Sequence, residues 1–222
     1  MSDSLIFASY PVFKVLADHL DGIQQDVATK EVAELLDSWS DLVEVRGVYS
    51  TAAFKAGADL MFWWISESAD DHQRLLIEFR RTMIGRALTQ THAFLGLVRP
   101  AEFSKDHQPA FVQGKSPKKY ACVYPFVRTP EWYLLEPSKR AGLLREHGGG
   151  GREYPDVLAN TTSAFGLGDY EWILTFEADS LDRIVELIRR LRATEARRYT
   201  ALEVPFVTGI RKELHEAIGD LF

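Results

Sequence analysis

The chain has 222 residues, 46% of them hydrophobic, enough for a sizeable core in one large domain or two small ones. Its 26 Lys and Arg against 32 Asp and Glu give a net charge of −6, the wrong sign for displacing counterions from nucleic acid. The single cysteine, Cys122, excludes an internal disulfide framework and a thiolate metal site and suits a core-filling role in a reducing compartment. There is no basic segment leading into an apolar one at the start and no run of about 18 apolar residues, so a cytoplasmic protein that engages no membrane is expected.

In chain order, residues 24–38 repeat Val27, Val32, Leu35 and Leu36 at helical spacing. LVEVRGVYSTAAF and DLMFWWISES, either side of the turn region around Gly57, read as a strand pair. DDHQRLLIEFRRTMIGRAL follows as a helix with acidic residues at its start, and THAFLGLV as a strand. The second half runs the same way. YACVYPFV reads as a strand, PSKRAGLLREHG as a helix, NTTSAFGLGDYEWILTFE as a hairpin around Gly166 and Gly168, LDRIVELIRRLRATEARRY as one long helix, and EVPFVTGI as a last strand.

DLMFWWISESADDHQRLLIEFRR and DYEWILTFEADSLDRIVELIRR share element order and Asp, Trp, Glu, Ala-Asp and Arg-Arg landmarks, roughly 110 residues apart, far beyond the period of a solenoid. The expected fold is therefore α+β, two tandem ferredoxin-like β-α-β-β-α-β repeats forming a dimeric α+β barrel within one chain. The halves are placed at 1–104 and 119–222. A connecting loop at 105–118 belongs to the polar, proline-containing stretch PAEFSKDHQPAFVQGKSPKK, longer than most connections inside a compact domain and of the kind that is either a lid or disordered.

Motifs for zinc hydrolysis (HExxH), paired cysteines, phosphate loops (GxxxxGKS/T) and the serine-hydrolase elbow (GxSxG) are all missing. His19, His72, His92 and His215 sit in helical or strand patterns without companion ligands and read as structural. His147 differs, because it directly precedes four glycines in LLREHGGGGREYP. Two readings stand side by side. In one, the glycines end the helix and a protonated imidazole complements its dipole. In the other, the glycines strip away side chains so that a flat ligand can approach, and His147 supplies an axial nitrogen to its iron.

VYPFVRTPEWYLLEPSKRAGLLREHGGGGREY, then NTTSAFGLGDYEW and VPFVTGIRKEL, resembles the chlorite-dismutase-like haem family, and within it the actinobacterial branch that decarboxylates coproheme. The likeness covers nearly the whole C-terminal half at motif level, and the N-terminal half by architecture. It implies that His147 is the proximal iron ligand and that Tyr124 becomes a radical during turnover. Tyr124, Pro125, Phe126, Val127 and Arg128 would line the propionates, with Trp132 beside the same edge, while His107 would be a distal histidine able to take a proton from peroxide. Lys118, with Lys119 beside it, and Arg197 are further candidates to pair with carboxylates.

The resemblance also implies the chemistry: hydrogen peroxide drives oxidative loss of two propionates from Fe-coproporphyrin III (coproheme), leaving vinyl groups and giving haem b. A homopentamer and transient contact with a coproporphyrin ferrochelatase belong to the same expectation, and nucleic acid is no partner. VLANTTSAF lacks the distal arginine of chlorite-splitting members and the glutamine of firmicute decarboxylases, which favours the actinobacterial branch over chlorite chemistry. A haem carrier or sensor that uses His147 without radical chemistry, and a chlorite-dismutase-type oxidoreductase, are the competing readings.

Overall fold

A computed structural model describes residues 5–100 and 108–222; His107 lies outside the described residues. In chain order the elements are β1 (Phe7–Val15), α1 (Gln25–Ser38), β2 (Val43–Ser50), β3 (Leu60–Ser66), α2 (Ala69–Phe79), α3 (Met83–Arg86), β4 (Leu88–Leu97), β5 (Tyr120–Arg128), α4 (Pro130–Leu134), α5 (Pro137–Arg152), β6 (Leu158–Ser163), β7 (Trp172–Ala178), α6 (Leu181–Arg192), β8 (Thr200–Leu202), β9 (Val207–Lys212) and α7 (Leu214–Gly219). They fall into two compact units, Met1–Val98 with Val207–Phe222, and Arg99–Phe206.

The first unit is an α+β layer pair. Its antiparallel strands lie in the order β4-β1-β3-β2-β9. One face packs Phe13, Leu60, Phe62 and Trp64 against Val32 of α1, Leu75 and Phe79 of α2, and Ile218 of α7. Phe13, Phe62 and Phe79 meet at centroid separations of 5.1 to 6.3 Å, inside the range where tilted and edge contacts add to area burial. The strand β1 escaped the sequence reading. It is central and buried over most of its length, so it carries no polar alternation, and its Pro11 argues against an inner strand.

The second unit is also antiparallel, in the order β6-β7-β5-β8. One face of β5 and β7 presents Cys122, Tyr124, Phe176 and Ala178 to Ile184 and Leu187 of α6, the inward stripe of its amphipathic pattern. The end of helix α5 and the segment after it are tied to α6 by two forked ion pairs. Arg190 holds both carboxylate oxygens of Glu153 at 2.7 to 3.1 Å, and Arg183 holds those of Asp156 at 2.7 and 2.8 Å.

Three boundaries differ from the sequence reading. The four glycines do not stop α5, which runs through them to Arg152, and none has a positive φ. The long helix expected over 181–199 ends at Arg192 and resumes as a 3-10 turn at Glu195–Tyr199, because the Thr194 hydroxyl bonds the Leu191 carbonyl at 2.7 Å with its backbone extended. The helix expected over 70–88 breaks likewise where Thr82 donates to the Phe79 carbonyl and accepts from Gly85 N–H. In the described part of the connection, Ala110 and Phe111 are buried and donate backbone N–H groups to Ala159 O at 3.2 Å and Asn160 Oδ1 at 3.0 Å, anchoring this stretch to β6.

Candidate functional site

The candidate residues converge in the second unit. His147 sits on α5, half-buried, with Nδ1 3.1 Å from Thr194 Oγ1. Burial, and secondarily the positive charge of Arg128, lowers its pKa to about 4, so its imidazole is neutral at physiological pH. The glycines then make sense on the helix surface. Gly151 lies one turn beyond His147, on the same face, and a Cβ built there meets no atom within 4 Å, while one at Gly148 meets only Arg152 at 3.8 Å. Close packing within the chain does not require these glycines, and each costs a helix interior about 1 kcal/mol relative to alanine. Such a conflict between local preference and adopted structure marks a functional surface.

Tyr124 stands on β5 and is 5% exposed. Its ring stacks on Phe206 at 4.4 Å and tilts against Phe176 at 6.1 Å. Burial, then the negative charge of Glu203, pushes its pKa well above the ordinary phenol value, keeping the hydroxyl protonated. Four places along, at the end of the same strand, Arg128 stacks over Trp132 at 4.2 Å and Phe126 at 5.0 Å. Its Nη1 donates to Ala196 O at 3.2 Å and Thr200 Oγ1 at 3.3 Å. Those bonds hold one edge of the guanidinium, and burial weakens its hold on its proton. The edge formed by Nε and Nη2 is left to pair with a carboxylate in the forked geometry that arginine favours.

The remaining candidates separate. Within YPFVR, Tyr124 and Phe126 share one face by strand alternation, whereas Pro125 and Val127 point to the other. Arg197 pairs with Glu203, which Arg192 also reaches at 3.2 Å. Lys118 precedes β5 and is bound to Asp179 at 2.7 Å; Lys119 joins it there through a backbone bond to Asp179. Strand rise puts Lys118 about 30 Å from Arg128, so one planar ligand does not meet both. Four contributors were not singled out from sequence: Thr194, Phe206, Glu203 and Glu171, which accepts from Arg128 N–H at 2.8 Å and Tyr133 OH at 2.5 Å. Only Phe206 carried a signal, as the aromatic of VPFVTGI; the others are polar residues in loops and helix ends.

Together these residues suit a planar ligand with a nitrogen-seeking metal at its centre and carboxylates at its rim. Among the described residues no group of three or more His, Cys, Asp or Glu is placed to hold a bare ion.

A family model described as "Chlorite dismutase" matches residues 25–212. The chain is similar to a coproheme decarboxylase of Mycolicibacterium smegmatis, 44% identical over 222 residues, covering 100% of this chain and 96% of that protein. It is similar to another of Oceanobacillus iheyensis, 25% identical over 218 residues, covering 89% and 87%. Among solved structures, chlorite dismutase of Candidatus Nitrospira defluvii in complex with imidazole shares the fold at a TM-score of 0.88 and 24% identity, over 97% of this chain and 94% of that one.

Proposed function

The chain belongs to the chlorite dismutase family, and from that membership we propose that it catalyses oxidative decarboxylation of coproheme to haem b in haem biosynthesis. Full-length identity of 44% to a coproheme decarboxylase supports the substrate. The observation that carries the chemistry is the placing of Tyr124, a buried phenol that donates no hydrogen bond among the described residues, near Arg128, whose outer edge suits a propionate.

The residues fit an iron porphyrin. His147 is neutral and half-buried, Gly148 and Gly151 leave its flank clear, and Arg128 offers a fork to the rim. When bound, the iron supplies the oxidising equivalents of hydrogen peroxide to the tyrosine. Each propionate loses two electrons, one proton and carbon dioxide to become a vinyl group, while one peroxide takes up two electrons and two protons to give two waters. Arg128 registers the carboxylate so that its β-carbon meets the Tyr124 oxygen. Tyr124, oxidised by one electron with loss of its phenolic proton, takes a hydrogen atom from that carbon; a second electron leaves as the C–C bond to the carboxylate breaks. Trp132 stiffens Arg128 from below. His107 as proton acceptor for peroxide rests on the sequence resemblance.

The reading extends to tandem ferredoxin-like repeats, halves at 1–104 and 119–222 joined through 105–118, a homopentamer, a cytoplasmic location and a transient ferrochelatase contact. The strand order β4-β1-β3-β2 supports the repeats. No helix among the described residues is long and apolar enough to cross a membrane. Titrating peroxide into the coproheme complex tests the reaction: two carbon dioxide per macrocycle and a haem b spectrum are expected, whereas bleaching without vinyl formation rejects it in favour of a carrier.

A further inference from the structure

We propose that Thr194 is the positioning residue that fixes which nitrogen of His147 carries the proton, and so which one is offered to a metal. The inference rests on the reading of His147 as axial ligand, but its evidence is a count of hydrogens within the chain. Thr194 Oγ1 has one hydrogen to donate. It lies 2.7 Å from the Leu191 carbonyl oxygen, which can only accept, so without that hydrogen the two oxygens would face each other lone pair to lone pair. The hydroxyl proton is committed to Leu191. The same oxygen lies 3.1 Å from His147 Nδ1, an ordinary N–H···O separation, and with its hydrogen spent it can only accept. Nδ1 therefore carries the imidazole proton, and Nε2 holds the lone pair that ligation needs.

The relay is built to be stiff. Thr194 is 4% exposed; its extended backbone follows the end of α6, and its carbonyl accepts from Arg197 N–H at 3.0 Å. Helix α5, carrying His147, is tied to α6 at its C-terminal end by the Arg190–Glu153 pair, and the segment that follows it by the Arg183–Asp156 pair. Acceptor and imidazole thus ride on elements fixed to one another, and the tautomer is set before any ligand arrives. Coproheme then binds without rearranging the imidazole proton.

Four proteins and two measurements test this. In the substrate-free wild type, nitrogen NMR of labelled histidine should show His147 protonated at Nδ1 and bare at Nε2; the opposite tautomer overturns the proposal without any variant. Thr194→Val removes the acceptor at nearly constant volume and should yield a mixed or reversed tautomer, with coproheme affinity by absorbance titration falling 10–100-fold, the usual effect of losing the outer partner of a ligating histidine. Thr194→Ser keeps the hydroxyl and should restore both readouts to within about threefold. A folded Thr194→Val protein with wild-type tautomer and affinity sinks the assignment. If His147→Ala binds coproheme as tightly as wild type, the axial reading fails instead, and the NMR result still decides whether Thr194 sets the tautomer.

Discussion

Two histidines, one in each unit, one fully and one half buried, separate what holds this protein together from what lets it act. His72 on α2 and His147 on α5 both have their pKa lowered to about 4, mainly by burial, and both set Nδ1 against a hydroxyl, at 2.8 Å from Ser9 and 3.1 Å from Thr194. The difference lies at the other nitrogen and in the hydroxyl. His72 is 5% exposed, and its Nε2 is sealed in the first unit with no hydrogen-bond partner among the described residues. His147 is half-buried beside a glycine flank and an arginine edge, and its hydroxyl partner has its own proton already committed. A depressed pKa alone therefore does not mark a site. The surroundings of the second nitrogen do.

The largest expected effect comes from removing the chemistry while leaving the packing. Tyr124→Phe keeps the stacking on Phe206 and Phe176 and should bind coproheme within about twofold of wild type, while decarboxylation falls by 10³-fold or more, about 4 kcal/mol in the barrier; carbon dioxide release reads it. In the first unit the converse holds. Phe62→Ala empties a fully buried position touching Phe13, Trp64 and Phe79 and should cost about 3–5 kcal/mol of stability, seen in the urea midpoint, with turnover per folded molecule unchanged.

Acid should reveal His72. Its folded pKa is below the unfolded value of about 6.5, so between those values the unfolded chain binds a proton that the folded chain refuses. The stability contribution is complete above pH 6.5 and is lost as pH falls toward 4, by about 3 kcal/mol from this residue. His72→Gln should flatten that part of the pH dependence of urea unfolding. Arg128→Lys keeps the charge but gives up the fork and the stacking on Trp132, and should weaken coproheme binding about tenfold, measured by absorbance titration. Smallest is Gly151→Ala. It should stabilise α5 by up to about 1 kcal/mol in thermal unfolding of the substrate-free protein and still impair coproheme binding; a gain in stability with unchanged affinity would show that the glycines serve no ligand.

The second unit was more legible in sequence than the first because its chemistry is written in rare residues. His147 stood out by its place before four glycines, whereas Tyr124 and Arg128 in YPFVR were picked out by the family resemblance, since a tyrosine in a strand and an arginine at its end are ordinary by residue type; they lie on α5 and β5. What stayed hidden depends on contacts between distant segments. Thr194 looked like one more residue of a long helix, because its bonds to Leu191 and His147 are invisible to periodicity. Lys118 looked like a propionate partner because charge in a sequence carries no direction, whereas the length of β5, at whose far end Arg128 stands, separates the two. The glycine run was read as a helix end because glycine usually does end helices, yet α5 runs through it to Arg152. Strand β1 shows the same limit for the fold: a central strand looks featureless once both neighbours are unknown.

The central claim is that His147 gives its Nε2 to the iron of coproheme. The direct test is His147→Gly titrated with coproheme with and without added imidazole, followed by absorbance. The account predicts loss of the wild-type spectrum in the variant and its return when free imidazole occupies the vacated place. A variant that shows the wild-type spectrum without imidazole would contradict it.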